Sequence, residues 1–418
     1  MNETSLFSNR KFLRIFASYS ISMFGIYFDR IAIILMFAYL WDEGPLMLAL
    51  IPIAFALPQV LFGQFAGILT DRLPKVPVMM TADLLSALLT LILAFTTQPW
   101  LCIVILAVRS TLAVVHYPAQ QSLMKAVVHP DHMLKAVSLN GTVSQLSKIV
   151  GPLVGGTIAG VYAPNLCILI NGAALFLSAM MIFGLRRDEG IVDSTGANAK
   201  TPVWKAWREG WSVVIRTRML FLSFTVSFFG FLVVQMVDVQ FPILFRTIAP
   251  SQPELVGWLM SFTGVGALIM IMILIRMKNL RHMGLLLGLG MALIAAGFGG
   301  SSFLEEGFHR FNAFGLALLL GLGVGLHTIV TQYTLQMFST PETIGRVSSM
   351  YSSLMSLSIL TAPICGAFLV EQFSVASVLQ ATAVGLLVLG SLSLVMDRRM
   401  RKTTKRHQHE ETSGLQAN

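Results

Sequence analysis

Asp29 and Arg30 stand side by side in FGIYFDRIAIILMF, residues 24–37, a run that is otherwise apolar. An ionised side chain costs about 2.5–3.5 kcal/mol to insert at the centre of a bilayer-spanning helix, so its presence points to a task. Two tasks fit. The acid can brace one helix to another through a cation, or it can take up and release a proton as its surroundings change. Ser18, Ser22, Gly25 and Asp29 follow one another at i, i+4, i+7 and i+11. They form one small, polar face of a helix, and that face is expected to line a wet cavity. Arg30 stands about 100° further round, where it meets Asp29 only loosely and can reach another carboxylate.

Other polar side chains recur on similar terms. Arg109, His116 and Gln120 share a face at i, i+7 and i+11, and His327, Thr331 and Thr334 share one at i, i+4 and i+7. Lys148, Pro152 and Gly156 share a third, and Gln235 pairs with Asp238 at i, i+3. Histidine titrates near neutral pH. His116 and His327 are therefore candidates to relay protons with Asp29 and Asp238, the alternative being neutral imidazoles hydrogen-bonded between helices. Arg30, Arg109, Lys148, Gln120 and Gln235 are the candidate substrate contacts. Three permanent cations against two acids suit an anionic or zwitterionic ligand better than a quaternary ammonium ion, because a desolvated charge demands a partner.

The elements that must position these residues follow from composition. Of 418 residues, 55% are hydrophobic and 12% charged, and the mean hydropathy is +0.74. Soluble chains carry about 25% charged residues. Twelve apolar runs reach the roughly 20 residues that a helix needs to cross a bilayer, so the chain reads as an all-α membrane protein with twelve transmembrane helices in two sixes. The longest polar stretch divides them. The expected layout is a six-helix half over 1–185, a central loop over 186–216, a second six-helix half over 217–396 and a basic tail over 397–418. Basic residues of short loops stay cytoplasmic. With the N-terminus inside, Arg10, Lys11, Arg14, Arg72, Lys75, Lys125, Lys135 and Arg346 fall on that side, as do the basic central loop and tail, while the opposite loops hold almost none beyond Arg310. Both termini are then cytoplasmic. The net charge of +9 is mostly this bias and calls for no nucleic acid, although the tail can touch anionic lipid headgroups. The first apolar run is too long for a cleavable leader and reads as a signal anchor. Cys102, Cys167 and Cys365 are spaced for neither a metal nor a disulfide framework and read as small buried hydrophobes.

The second half repeats the first. HPDHMLKAVS aligns with TPETIGRVSS, placing Pro130 on Pro341, 211 positions apart, and Lys135 on Arg346. The same shift carries His116 onto His327, Pro152 onto Pro363 and Gly155 onto Gly366, and Asp29 and Asp238 fall near equivalent points. Two parallel six-helix repeats are the layout of one large transporter class, with substrate held between them near the midplane. GILTDRLPK, residues 67–75, resembles the loop between spans two and three of the major facilitator superfamily. Gly67, Leu69, Asp71 and Arg72 match, while Pro74 and Lys75 replace a glycine and an arginine. RSTLAVVHYPAQ resembles the fourth-span motif through Arg109, and GPLVGG, with Gly151, Pro152, Gly155 and Gly156, resembles the fifth-span motif of antiporters and exporters. PETIGRVSS and DLLSALL are similar to the branch of macrolide-efflux proteins and siderophore exporters. That branch places an acid directly after the first-span glycine; here Ile26 follows Gly25 and the acid waits until Asp29. The resemblance implies that Asp71, with Arg72 nearby, latches the outward-open state, and that the fifth-span motif and Arg346 belong to the gating parts. Pro152 is also expected to kink or break its helix.

Energy source and reaction class narrow together. No Walker Gly-x4-Gly-Lys-Ser/Thr occurs, and GLGVGL lies inside an apolar span, where helix packing explains it better than nucleotide binding. An intramembrane enzyme would need a nucleophile–base pair or a Gly-x-Gly-Asp acid, and no serine has a histidine at a fitting helical spacing. The expectation is a proton-coupled secondary active exporter of an amphipathic organic molecule, a siderophore first and a macrolide-type drug otherwise. It would sit in the bacterial inner membrane as a monomer, with lipids, protons and substrate as partners and no cofactor or metal. The alternative is an uptake facilitator or lysophospholipid transporter of the same fold.

Overall fold

A computed structural model describes residues 6–185, 211, 212, 214–277, 280, 282–340 and 343–416, with the side chains of 64–72, 345, 346 and 398–416 outside the description. A short 3-10 turn at Leu6–Ser8 precedes α1 (Arg10–Leu35), which continues as a π-helical turn, Met36–Leu40. There follow α2 (Pro45–Arg72), α3 (Lys75–Ala94), α4 (Pro99–Val127), α5 (Pro130–Val161) and α6 (Pro164–Phe183). The rest is α7 (Arg218–Asp238), α8 (Phe241–Ile248), α9 (Glu254–Ile275), α10 (Met283–Ser301), α11 (Arg310–Met337), α12 (Ile344–Gln372) and α13 (Val375–Gln416).

The helix starts are written in the sequence. Pro45, Pro99, Pro130, Pro164 and Pro242 each stand in a first helical turn, where the missing N–H costs nothing. Asn9 caps α1, its Oδ1 accepting from the Lys11 and Phe12 amides at 3.0 and 3.1 Å. Its Nδ2 donates to the Val127 carbonyl at 3.0 Å and ties the start of α1 to the end of α4. Interior prolines do not end their helices. α5 runs through Pro152 unbroken, as α12 does through Pro363; each ring removes one ladder bond and neighbouring helices hold the rest.

Eleven helices among the described residues are long and apolar enough to cross a bilayer. The expected fifth span, α5, is the one outside that set. It has 32 residues and carries Lys135, Asn140, Gln145 and Lys148 among its apolar positions.

Contacts gather the chain into two compact units: Met1–Ala199 with Val239–Ser261 and Pro363–Glu371, and Lys200–Asp238 with Phe262–Ala362 and Gln372–Asn418. Within the first, α6 packs on α1 and α3, α3 on α4, α2 on α4, and α5 on α1. Within the second, α13 packs on α7 and α10, and α10 on α11. The pairs α1–α6, α3–α6 and α3–α4 thus recur as α7–α13, α10–α13 and α10–α11, as a duplicated unit requires. Lipid tails are as apolar as leucine, so small residues let such helices approach. A Cβ added at Gly155 of α5 would lie 2.8 Å from Ile31 and 3.0 Å from the Phe28 backbone of α1.

Candidate functional site

In the first unit, α1, α3, α4 and α6 each contribute one polar residue to each of two buried layers. The first layer holds Asp29, Thr90, Arg109 and Asn171. Asp29 is 0% exposed, and its Oδ2 is ion-paired with Arg109 Nη2. Arg109 Nη1 donates to Thr90 Oγ1 at 3.1 Å, and that hydroxyl donates in turn to the Ser86 carbonyl at 2.7 Å. Asn171 lies close enough to Asp29 to interact with it, yet neither Asp29 Oδ1 nor the amide atoms of Asn171 have an aligned hydrogen-bond partner.

The second layer holds Ser18, Asp83, His116 and Ser178, nearer the end of the unit where α1 begins. Asp83, Thr90 and their partners are seven residues apart on α3, on α4 (Arg109 to His116) and on α6 (Asn171 to Ser178). That is two helical turns, about 10 Å. Ser178 Oγ stands 2.5 Å from Asp83 Oδ2 and 2.8 Å from Ser18 Oγ. One hydroxyl has one proton to give, so Ser178 donates to the carboxylate and accepts from Ser18. His116 Nε2 lies 3.1 Å from Asp83 Oδ1, within ion-pair distance but not aligned as an N–H hydrogen bond.

Several expected residues sit elsewhere. The face of Ser18, Ser22, Gly25 and Asp29 is buried rather than wet. It meets α6, where a Cβ at Gly25 would stand 2.9 Å from that of Ala174; small residues here serve close packing. Arg30 does not pair with Asp29 but lies over the rings of Phe55 and Tyr27, 5.0 and 5.8 Å from their centroids. Arg109, counted above as a substrate contact, is occupied by Asp29. Gln120 is buried, 3% exposed. Lys148 is exposed on α5, its Nζ donating to Gln145 Oε1 at 3.0 Å, and it is near enough to Arg30 for the two charges to repel.

Gly151, Pro152, Gly155 and Gly156 are buried. Gly151 and Gly155 pack on α1, and Gly156 meets Gly257, where an added Cβ would stand 2.8 Å from the glycine Cα. Asp238 is exposed at the last residue of α7, with Gln235 half-buried one turn before it. His327 lies half-buried on α11, its Nδ1 without a hydrogen-bond partner. Gly67, Asp71 and Arg72 fall in the last turns of α2 and Arg346 in the first turn of α12, and their side chains lie outside the described residues.

Sequence reasoning gave no role to Asp83, the first residue of DLLSALL, or to Thr90, Asn171, Ser178 and Arg246. The first four offered a signal: polar pairs at i, i+7 on otherwise apolar helices. Arg246 on α8 gave none. Its Nη1 donates to the Ala38 and Glu43 carbonyls at 2.8 and 3.0 Å and stands 2.8 Å from Asp42 Oδ1, closing the exit of α1, where the π turn ends and Asp42 takes a φ of 53°.

The sequence pattern of the major facilitator superfamily matches residues 19–308 and 241–417. The chain belongs to that superfamily. It is a multi-pass membrane transporter with the all-α major facilitator fold, not an enzyme. It is 28% identical over 396 residues to an uncharacterised MFS-type transporter, YfiS, of Bacillus subtilis (strain 168), covering 94% of this chain and 95% of that one. It is 24% identical over 375 residues to macrolide efflux protein A of Streptococcus pyogenes, covering 87% and 90%. The crystal structure of the nucleoside transporter NupG superposes with a TM-score of 0.73 at 12% identity, over 93% of this chain and 99% of that one, a likeness of fold alone.

Proposed function

We propose that this major facilitator transporter is a proton-driven exporter of an amphipathic organic anion or zwitterion, working in the bacterial plasma membrane with both termini cytoplasmic. The observation that carries the substrate class is the pair Arg30 and Lys148. These cations lie near each other on packed helices, and among the described residues neither has a carboxylate within ion-pair distance. Two neighbouring cations repel until an anion joins them. The rings of Tyr27 and Phe55 beside Arg30 offer the apolar part of such a ligand a surface. A carboxylate-rich chelator with a hydrophobic backbone has this chemistry.

Export rather than uptake is supported by the fifth-span glycine motif and by the macrolide-efflux relative. Proton coupling is assigned to Asp29, a buried acid with one oxygen on Arg109 and the other unpartnered. The reading is tested by ligand binding to the purified protein, with a hydroxycarboxylate siderophore, a macrolide and a cationic dye as probes. Lys148→Met and Arg30→Gln should each weaken siderophore binding about tenfold, roughly 1.4 kcal/mol, with the fold intact. If only the cationic probes bind, and Lys148→Met tightens them, the substrate is a macrolide-type amine instead.

A further inference from the structure

The Asp29–Arg109 layer carries a cation that never gives up its proton. The layer two turns away does not. There the partner of the acid is an imidazole, the side chain that exchanges protons near neutrality, and Asp83 and His116 together can change charge by one without breaking a permanent ion pair. We propose that Asp83 and His116 form a second proton-binding site of the first unit, one layer to the cytoplasmic side of Asp29.

Geometry supports each part. The bound proton would sit on His116 Nε2, opposite Asp83 Oδ1 at 3.1 Å. The other carboxylate oxygen is already held by the Ser178 hydroxyl, itself fixed by Ser18, so Oδ1 alone is left for the imidazole. The His116 side chain is 17% exposed and that of Asp83 5%, so the histidine is the more accessible of the two to an incoming proton. The ionisable groups nearest along the neighbouring helices are Arg14, Tyr19 and Asp29 on α1, Arg109 and Tyr117 on α4 and the Cys167 thiol on α6, with Arg14 held on the Gly184 carbonyl at 2.6 Å; Lys75 and Lys125 stand at the helix ends, and α2 adds none among its described side chains. Among the described residues none of these lies within ion-pair distance of Asp83; His116 alone does. The site then alternates between a net charge of minus one and zero, while the layer beyond it keeps a fixed cation.

The inference rests on the proton-driven reading above and is tested apart from it. The full-length protein in detergent, without substrate, is taken from about pH 7.5 to about pH 6, the range in which imidazoles load. Protons bound per chain are counted with an indicator dye. His116→Gln should abolish the uptake of this site and Asp83→Asn should move it to lower pH, so that each binds fewer protons than wild type over this range, and the double variant no fewer than His116→Gln. Equal counts in wild type and both variants overturn the proposal. Thermal unfolding checks that each variant is folded; should His116→Gln fail, the nearly isosteric Asp83→Asn decides. In vesicles under an imposed pH gradient, uphill accumulation should be lost in both. If wild-type vesicles accumulate no substrate under that gradient, the proton-driven reading falls, while the proton count still judges the site.

Discussion

Asp29 in the first unit lies within α1, wholly buried and held by Arg109, whereas Asp238, near its counterpart in the repeat, is exposed at the end of α7. The same contrast runs through the neighbouring helices. The shift that carries His116 onto His327 carries Asp83 onto Ile294 and Arg109 onto Leu320. Ile294 and Leu320 are buried, so the second unit fills with carbon the places where the first keeps an acid and a guanidinium. Polar contacts near those places include the Ser227 and Thr331 hydroxyls, 3.0 Å apart, and Thr334 turned to the Val330 carbonyl at 2.7 Å. Duplication has kept the helix pairings and let the chemistry diverge. A packed pair of helices needs only matching small and large residues, whereas a buried ion pair must be retained whole or lost whole, since half of one is worse than none.

The contrast is most exposed to failure at Arg109. Arg109→Gln leaves Asp29 buried with no cation and should cost about 3–5 kcal/mol, read as a large fall in the unfolding temperature of the detergent-purified protein. Asp29→Asn with Arg109→Gln should recover most of it. A loss below about 1 kcal/mol for the single change would mean that the pair is not what separates the units.

The next effect is functional. Asp29→Asn should still bind ligand yet lose uphill transport in proteoliposomes, and Asp238→Asn, on an exposed acid, should keep it within roughly threefold. Equal behaviour of the two variants, in either direction, would erase the asymmetry. The smallest effect is expected at His327. With Ile294 where an acid would stand, His327→Gln should change stability by no more than about 1 kcal/mol and leave proton-driven transport in place.

Much of this was legible in the sequence, and the rest was hidden for identifiable reasons. Helix number and the existence of polar faces follow from periodicity, which is local. What a face meets is not local. Asp29 finds Arg109, 80 positions away, instead of its neighbour Arg30, because adjacent residues of a helix point about 100° apart. The stripe below Asp29 has the small residues of a water-lined face and equally those of a tight helix contact; only the presence of α6 decides between them. The spacing of Lys148, Pro152 and Gly156 gave no sign that the lysine is exposed and turned to Gln145 on its own helix. Asp83 was visible as part of a motif, but its histidine lies on another helix.

Arg246 and the residues around it settle where the molecule can be cut. Val239–Ser261 follows the long polar loop in the chain and yet belongs, by contacts, to the unit that precedes it. Its guanidinium holds the Ala38 and Glu43 carbonyls, Trp258 donates to Thr157 at 2.8 Å, Ser261 to the Ile149 carbonyl at 2.7 Å, and Gly257 fills the hollow at Gly156. A gene divided inside the polar loop and expressed as two fragments would yield a first piece with an uncovered glycine seam and a helix exit missing its donor. That piece would be a hostage to its other fragment, stable only when the two are made together.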